Sequence, residues 1–304
     1  MCKIVVIGST NTDMTIQCDV LPSVGEIVAG RQFRVCPGGK GANEAIAASR
    51  LGGSVSLITK TGNDLFGRQA KQMFSTEGIR TDYIFADPDH PSGVALIMVN
   101  DSGEKYISLA QGSITTLSHQ EIDKTRSEIM DAKVLLIELE TPIEMALYAA
   151  RIAAANNVPV IINPSPRQAL PDELFKLSTI MIPNRMEAEK LTGVKVTDFE
   201  AAKKAAVILA KKGVGTVIIT MGHRGAFMYR NGESHIIDAV DTVVRDASGA
   251  GDVFCAAICV AISEKMDMLD ALRMASAAAA LQVSREGMID AIPYRYEVEQ
   301  LMNG

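Results

Sequence analysis

Short runs rich in β-branched residues recur along the chain, and helical patterns lie between the later ones. The first run, residues 3–8, reads Lys-Ile-Val-Val-Ile-Gly and is typical of a buried strand that ends at a glycine. Helical patterns cover residues 143–156 and 199–212. This alternation predicts βαβ units and a parallel sheet. The other predicted strands are residues 56–59, 133–139, 158–163, 179–183 and 216–221.

Two stretches break the alternation. Residues 13–35 and 93–110 are predicted to be extended strands with turns, and neither is followed by a crossover helix. We expect them to pair into a small separate sheet within a single domain over residues 1–304. A lid over an active site is the functional interpretation, and a hairpin without a function is the alternative.

Composition agrees with a core of parallel strands and excludes several functions. Apolar residues make up 47% of the 304 residues and aromatic residues only 5%, so Ala, Val, Ile, Leu and Met must fill the core. The net charge is −6 and no basic stripe is present, so nucleic acid is not expected as a partner. No GxSxG or CxxC motif occurs, and the four His show no metal-binding spacing, which removes the basis for hydrolase, zinc and thiol-redox functions.

The cysteines and the longest apolar run indicate the cellular compartment. An odd number of cysteines without paired spacing predicts no disulfide framework and favours a reducing cytoplasm. The longest apolar run is residues 253–262, whereas a bilayer requires about 20 residues, so we expect neither secretion nor a membrane span. Two cysteines four residues apart on a predicted helix suggest a metal pair, but small core residues are the better interpretation. The five cysteines are Cys2, Cys18, Cys36, Cys255 and Cys259.

The glycine-rich stretch Asp246-Ala247-Ser248-Gly249-Ala250-Gly251-Asp252 precedes a long apolar helical pattern. Glycines on either side of an alanine let the backbone direct N–H groups toward one point at the helix start. Such a point binds anions, with help from the helix dipole, and a transferring phosphoryl group fits it. Asp252 is then interpreted as a base that accepts a proton from an attacking hydroxyl. Taken alone, it is explained equally well as a helix cap.

A second glycine-rich stretch, Cys36-Pro37-Gly38-Gly39-Lys40-Gly41-Ala42-Asn43, opens a helical pattern over residues 42–51. Its glycines allow the backbone to lie close to a ligand, and Lys40 and Asn43 supply hydrogen-bond donors. It is not a Walker loop, because the first glycine is missing at the required spacing and Gly41 replaces Ser or Thr. A plain turn before a helix is the alternative.

Asn11-Thr12-Asp13 follows the first predicted strand. In parallel sheets, ligands bind beyond the carboxyl ends of the strands. Amide and carboxylate side chains there suit the hydroxyl groups of a sugar. A turn formed by Asn and Asp is an equally good interpretation of this stretch alone.

Pro183-Asn184-Arg185-Met186-Glu187-Ala188-Glu189 ends one predicted strand and begins a helix. Carboxylates placed there can hold a hydrated Mg²⁺, which keeps several waters and needs few protein ligands. Acidic enrichment in the first helical turn is the alternative.

Together these stretches resemble the ribokinase family of carbohydrate kinases, also called the PfkB family, in order and spacing over essentially the whole chain. The resemblance implies a three-layer α/β/α sandwich with a mostly parallel central sheet, and a small β-sheet lid that often pairs two subunits. It depends on Asn11 with Asp13, Gly38-Gly39-Lys40-Gly41-Ala42-Asn43, Asn163-Pro164-Ser165-Pro166, Pro183-Asn184 with Glu187 and Glu189, Thr220-Met221-Gly222 and Gly249-Ala250-Gly251-Asp252.

The resemblance also implies the roles of individual residues, with Asp252 as the catalytic base. The sugar would be held by Asn11, Asp13, Gly39, Lys40, Asn43, Glu140 and Asp252. The nucleotide would be bound by Asn184, Thr220 and Gly222, with Gly249, Ala250 and Gly251 as the anion hole, and Glu187 would support Mg²⁺ through water. A K⁺ activator, held largely by main-chain oxygens, would be bound at Asp246, Ser248, Gln282, Arg285, Gly287 and Ala291.

Three positions depart from the family pattern. Arg245-Asp246-Ala247-Ser248 replaces the more usual Val-Asp-Thr-Thr, and Glu44 stands where Gln is common. Gly112-Ser113-Ile114 stands where Gly-Ala-Asn is frequent, near the sugar end of the lid. This last departure leaves the exact sugar open.

The reaction that the resemblance implies is transfer of the γ-phosphoryl group of ATP to O5 of D-ribose, in a cytoplasmic homodimer paired through the lid. One alternative is a related kinase for fructose, deoxyribose, 2-keto-3-deoxygluconate or a nucleoside. A nucleoside needs aromatic stacking, and the chain is poor in aromatic residues. The alternative of a different class is a catalytically silent sugar-binding regulator, which the intact Asp252 and its glycines argue against.

Overall fold

Two separate sheets organise the part of the chain that the computed structural model describes, residues 3–165 and 169–303. Cys2 and Pro166, named above, lie outside the described residues. The strands are β1 (Lys3–Ile7), β2 (Asn11–Cys18), β3 (Gly30–Gly38), β4 (Ser54–Gly62), β5 (Ile84–Asp87), β6 (Gly93–Val99), β7 (Lys105–Ala110), β8 (Val134–Glu138), β9 (Val160–Asn163), β10 (Ile180–Met181), β11 (Thr216–Thr220), β12 (Ala226–Arg230) and β13 (Glu233–Ile237).

Helices connect most of these strands. They are α1 (Lys40–Arg50), α2 (Leu65–Thr76), α3 (His119–Lys124), α4 (Arg126–Met130), α5 (Ile143–Ala155), α6 (Asp172–Leu177), α7 (Arg185–Thr192), α8 (Phe199–Lys211), α9 (Ala250–Ser263), α10 (Met268–Val283) and α11 (Arg295–Asn303). Short 3₁₀ helices cover Gly112–Thr116 and Gly222–Arg224. The described helices are too short or too polar to span a bilayer.

The large sheet has nine strands within the described residues, in the order β13-β12-β11-β10-β9-β8-β1-β4-β5. The pairs from β11 to β5 are parallel, whereas β12 and β13 pair antiparallel at one edge. The predicted mostly parallel sheet is therefore confirmed. β1 lies inside it, between β4 and β8, as its continuous β-branched run predicts.

Successive residues of β1 pack into two different cores. Ile4 and Val6 belong to a cluster with side chains of α1, α2, α9 and α10. Val5 and Ile7 belong to a second cluster, with side chains of α5, α6 and α8. Since neighbouring side chains of a strand point to opposite faces, helices cover both faces of the sheet. This is the expected three-layer α/β/α arrangement.

The small sheet has four strands within the described residues, in the order β3-β2-β6-β7. β2 pairs parallel with β6, and the two outer pairs are antiparallel. Asn11–Asp13 opens β2, so the turn interpretation of this stretch is wrong. The reason is long-range pairing, because Asn11 lies opposite both Gly38 and Gly93. Local preference for a turn is overridden by these two partners.

The register of the small sheet separates a polar face from an apolar one. Asp13 lies opposite Cys36 and Ala95, so these three residues share a face. The other face is apolar and largely exposed, with Phe33 60% and Leu96 56% accessible. Its members, which are paired directly across the strands, are Met14, Ile16, Phe33, Val35, Leu96, Met98 and Tyr106.

Candidate active site

Residues from four separate parts of the chain meet at the carboxyl ends of β1, β8 and β9. Asn43 Nδ2 donates a 2.9 Å hydrogen bond to Asp252 Oδ2, which joins the start of α1 to the start of α9. Glu138 ends β8 and Asn163 ends β9, and both are buried. This is the edge at which parallel sheets bind ligands.

The turn before Asp252 leaves the start of α9 open. Gly249 adopts φ 75°, in the left-handed region that favours glycine, and a Cβ there would lie 2.5 Å from Met288 Sδ. A Cβ on Gly251 would meet no atom within 4 Å, so there is space above it. Within the described chain, no side chain caps this helix start, and Asp252 bonds Asn43 instead. The helix-cap interpretation of Asp252 is therefore wrong.

The glycines on either side of Lys40 are needed for close packing of the backbone. Gly39 adopts φ 97°, and a Cβ on it would lie 2.7 Å from Thr10 Cα. A Cβ on Gly41 would lie 2.4 Å from Gly8 Cα. Glycine at these positions lets α1 begin against the connection between β1 and β2. Lys40 and Asn11 are thereby brought to the same edge of the large sheet.

Carboxyl groups crowd around the end of β8. Glu138 is fully buried, and its Oε1 accepts a 2.6 Å hydrogen bond from the Glu140 backbone N–H. The Ser9 backbone N–H donates to Glu138 Oε2 at 3.2 Å, and Ser9 Oγ lies 2.9 Å from Glu140 Oε2. Burial, together with the charge of Glu140, raises the pKa of Glu138 to about 8. The same two causes raise the pKa of Asp13 to about 6.

Lys40 supplies positive charge to this cluster. Its Nζ donates to Ser165 Oγ at 2.8 Å and lies 3.7 Å from Glu187 Oε1. Although burial acts in the opposite direction, the charges of Asp252, Glu138, Glu187 and Glu140 hold the pKa of Lys40 above its ordinary value.

Asp252 keeps a raised pKa despite that lysine. Burial is the largest cause and raises the pKa to about 6, while Lys40 and the Asn43 hydrogen bond act in the lowering direction. A carboxylate with this pKa is ionised at neutral pH and accepts a proton more readily than an exposed aspartate.

The stretch after β10 combines a helix cap with a site for positive charge. Asn184 caps α7 by accepting from the Glu187 backbone N–H at 2.9 Å, and Glu187 Oε2 accepts from the Asn184 backbone N–H. The other oxygen of Glu187 faces Lys40. Asn184 also forms a parallel bridge to Thr220, and Gly222 begins the next short helix with φ 64°. The three predicted nucleotide residues therefore lie close together.

Several oxygen atoms lie close together around the loop before Gly249. Asp246 Oδ1 accepts from the Ser248 backbone N–H at 3.0 Å and from Lys105 Nζ at 3.2 Å. Gln282 Nε2 donates to the Ser248 and Met288 carbonyls at 3.1 Å each. Its Oε1 is buried and lacks a hydrogen-bond partner within the described chain. Of the other predicted K⁺ residues, the Arg285 guanidinium pairs with Glu297, Ala291 is buried and Gly287 adopts φ 94°.

Several residues of this edge were not predicted from the sequence. Glu138 and Ser9 were not recognised, because both stand in or beside runs that read as buried core. Ser165 carried a signal in its Asn-Pro-Ser motif but was assigned no role. Ile114, expected near the sugar, is fully buried in the second core cluster. Cys255 and Cys259 are buried in the core against α10 and the large sheet, and no group of three or more His, Cys, Asp or Glu in the described residues is arranged to hold a metal.

Comparisons with known proteins show what the chain is similar to. The profile of the pfkB family carbohydrate kinases matches residues 1–295. A ribokinase from Haemophilus influenzae is 39% identical over 297 residues, which span 98% of this chain and 97% of the relative. A deoxyribokinase from Salmonella typhi is 32% identical over 95% of both chains.

The solved structures extend the likeness to the whole fold. The structure of Arabidopsis thaliana ribokinase complexed with ribose and ATP superposes with a TM-score of 0.92 at 29% identity. The superposition covers 99% of this chain and 98% of the plant protein.

Proposed function

The chain belongs to the pfkB family of carbohydrate kinases, and we propose that it transfers the γ-phosphoryl group of ATP to O5 of D-ribose. The relatives named ribokinase support ribose as the acceptor. The observation that carries the proposal is the pair formed by Asp252 and Asn43 beside the open glycine turn of α9. A base and an anion site are thereby placed together at the start of one helix.

The proposed step is an in-line displacement. Asp252 accepts the proton of the O5 hydroxyl as O5 bonds the γ-phosphorus, and the bond from that phosphorus to the bridging oxygen of ADP breaks. Asn43 holds the Asp252 carboxylate in place through its 2.9 Å hydrogen bond. Backbone N–H groups of Gly249, Ala250 and Gly251 offset the charge that develops on the phosphoryl oxygens.

The sugar is proposed to lie under the polar face of the small sheet. Amide, carboxylate and ammonium groups converge there and match sugar hydroxyls as donors and acceptors. Glu140, half-buried beside Ser9, faces the same space as Asp13, whose pKa its charge helps to raise. The proposed sugar ligands are Asn11, Asp13, Gly39, Lys40, Asn43, Glu140 and Asp252.

The nucleotide is proposed to lie over Asn184, Thr220 and Gly222, with Mg²⁺ bound beside Glu187. One oxygen of Glu187 caps α7 and the other faces the site, so a single carboxylate fits an ion that keeps its waters. When bound, Mg²⁺ supplies positive charge at the phosphoryl oxygens. ATP as the donor is also our reason for proposing a cytoplasmic enzyme.

A K⁺ site is proposed at Asp246, Ser248, Gln282, Arg285, Gly287 and Ala291. Gln282 Oε1 is buried and has no hydrogen-bond partner among the described residues. Together with the Asp246 carboxylate, it gives the oxygen donors that a monovalent cation prefers. When bound, K⁺ supplies positive charge next to the glycine turn.

We propose that two chains pair through the apolar face of the small sheet. Met14, Phe33 and Leu96 lie on the face opposite Asp13, where a partner buries them without blocking the site. Leu96→Glu should convert a wild-type dimer to a monomer in sedimentation velocity. Ile107→Glu, on the other face, is the matched control, and a wild-type monomer at micromolar concentration contradicts the pairing.

A sugar panel tests the proposed reaction. Purified protein with MgATP is offered D-ribose, 2-deoxy-D-ribose, D-fructose, 2-keto-3-deoxygluconate and adenosine, with and without K⁺, and the products are identified by ³¹P NMR. We expect the highest kcat/KM for D-ribose, phosphorylation at O5, and activation by K⁺. If another acceptor gives a higher kcat/KM, that acceptor replaces ribose in the proposal. No transfer to any acceptor would favour a sugar-binding regulator.

A further inference from the structure

Glu44 is a fully buried acid one turn after Lys40 on α1, and its two oxygens are in different environments. Oε1 accepts a 2.8 Å hydrogen bond from Asn163 Nδ2 at the end of β9. Oε2 is buried and has no hydrogen-bond partner in the part of the chain that the structure describes. A single neutral donor is too little to compensate a buried carboxylate, since charged groups are buried only with pairing and several hydrogen bonds.

The charges around Glu44 make an ionised form still less favourable. Burial is the first cause of a pKa well above the ordinary value, and the charges of Asp252 and Glu138 are the next. Lys40 opposes this shift, but its charge is shared with four other carboxyl groups. The titratable groups that face Glu44 are Asp252, Cys255 and Cys259 on α9, Glu138 on β8 and Lys40 on α1.

We infer that Glu44 is a neutral acid with its proton on Oε2, and that it acts as a positioning residue for the loop after β9. The inference rests on the proposed function of Asp252. Two contacts join α1 to this loop, one from Asn163 to Glu44 and one from Lys40 to Ser165. Glu44 thus keeps Ser165 where it orients the Lys40 ammonium, while it adds no negative charge beside Asp252.

Glu44→Gln tests the charge state, because glutamine has the same shape and is always neutral. We measure kcat/KM for the sugar at saturating MgATP across pH 5–10. If Glu44 is neutral, the variant keeps the wild-type midpoint of the acid limb, which follows ionisation of Asp252.

Glu140→Gln is the matched control for charge removal. The charge of Glu140 raises the pKa of Asp252, so its removal must move the acid limb to lower pH and show that the assay detects a lost charge. A Glu44→Gln acid limb that also moves lower, by more than about half a pH unit, means that Glu44 is ionised and overturns the inference.

An infrared measurement does not depend on activity. Glu138→Gln removes the neighbouring carboxyl group with a raised pKa. A band from a buried protonated carboxyl that remains in this variant at neutral pH is then compared with the Glu44→Gln, Glu138→Gln double variant. If the band is absent from the double variant, it belongs to Glu44. If the double variant does not fold, a band that persists in Glu138→Gln at pH 8, above the pKa of about 6 of Asp13 and Asp252, supports the assignment to Glu44. Absence of the band in Glu138→Gln overturns the inference. Failure of the proposed function is distinct, since it appears as a wild-type protein that phosphorylates no sugar.

Discussion

The two ends of the large sheet hold buried carboxyl groups in opposite electrostatic states. At the amino end, Glu128 accepts from Ser56 Oγ at 2.6 Å and pairs with Lys3 and Arg80 at 3.1 Å each. Although burial acts against it, these partners hold the pKa of Glu128 below its ordinary value. At the carboxyl end, Asp252 and Glu138 have raised pKa values because burial is only partly offset by Lys40.

This difference separates a structural cluster from a reactive one. Glu128 has two cations and a hydroxyl within reach, so its charge is compensated inside the protein. At the carboxyl end, Lys40 is shared among Asp252, Glu138, Glu140 and Glu187. Because the charge of these carboxyl groups is only partly compensated inside the protein, they can bind ligands. Clusters of groups with raised pKa values are typical of functional sites.

Of the substitutions that test the difference between the two ends of the sheet, Asp252→Asn should have the largest effect on activity. An amide cannot take the proton from O5, so kcat should fall about 10²–10⁴-fold while the sugar still binds. Steady-state kinetics measure the first effect and isothermal titration calorimetry the second. Near-normal turnover would show that the carboxyl end does not contain the base.

Lys40→Met should have the next largest effect. It removes a charge-assisted donor, so kcat/KM should fall about 10–100-fold. The acid limb of the pH–rate profile should also move to higher pH, because Lys40 lowers the pKa of Asp252. Lys3→Met, which removes a lysine paired with Glu128 at the amino end, is the matched control and should leave the limb in place. If the wild type, Lys40→Met and Lys3→Met had acid limbs at the same pH, the electrostatic difference between the two ends of the sheet would be contradicted.

Glu128→Gln should affect stability and not catalysis. The variant leaves Lys3 and Arg80 without their buried partner, so the free energy of unfolding should fall by about 1–3 kcal/mol. Turnover should stay within about twofold of the wild type, as for most changes far from a site. Urea denaturation and steady-state kinetics check the two parts. A large loss of kcat in a folded variant would contradict a purely structural role.

The pH dependence of stability should have opposite signs at the two ends. Asp13 has a pKa raised from 3.8 to about 6, so its contribution to stability is present below pH 3.8 and is lost as pH rises through 6. Asp13→Asn should therefore gain about 1 kcal/mol over the wild type at pH 8 and nothing near pH 3.8. Glu128 has a lowered pKa, so the deficit of Glu128→Gln should shrink below pH 4.5. Urea midpoints at several pH values test both, and parallel pH trends would contradict the assignment.

Local sequence patterns predicted the main helices and strands well. The helical pattern over residues 199–212 differs from α8 by one residue, and the strand at residues 3–8 differs from β1 by one residue. Both depend on periodicity and composition, which are local properties. The small sheet was also expected where it lies, because two extended stretches lacked crossover helices.

Features that depend on distant partners could not be predicted in the same way. Glu138 reads as part of a core strand, and only the fold places it beside Ser9. Asn11 reads equally well as a turn until Gly38 and Gly93 pair with it. The burial of Ile114 follows from its packing beneath the large sheet, which no local pattern encodes.

The most direct test is the ionisation of Asp252 itself in the ligand-free protein. Carboxyl ¹³C NMR of protein labelled at aspartate follows the titration, and Asp252→Asn assigns the signal by its loss. The crowded, buried carboxyl end predicts a midpoint at about pH 6. A midpoint near the ordinary value of 3.8 would contradict the account, because Asp252 would then be compensated as fully as the carboxylate at the other end of the sheet.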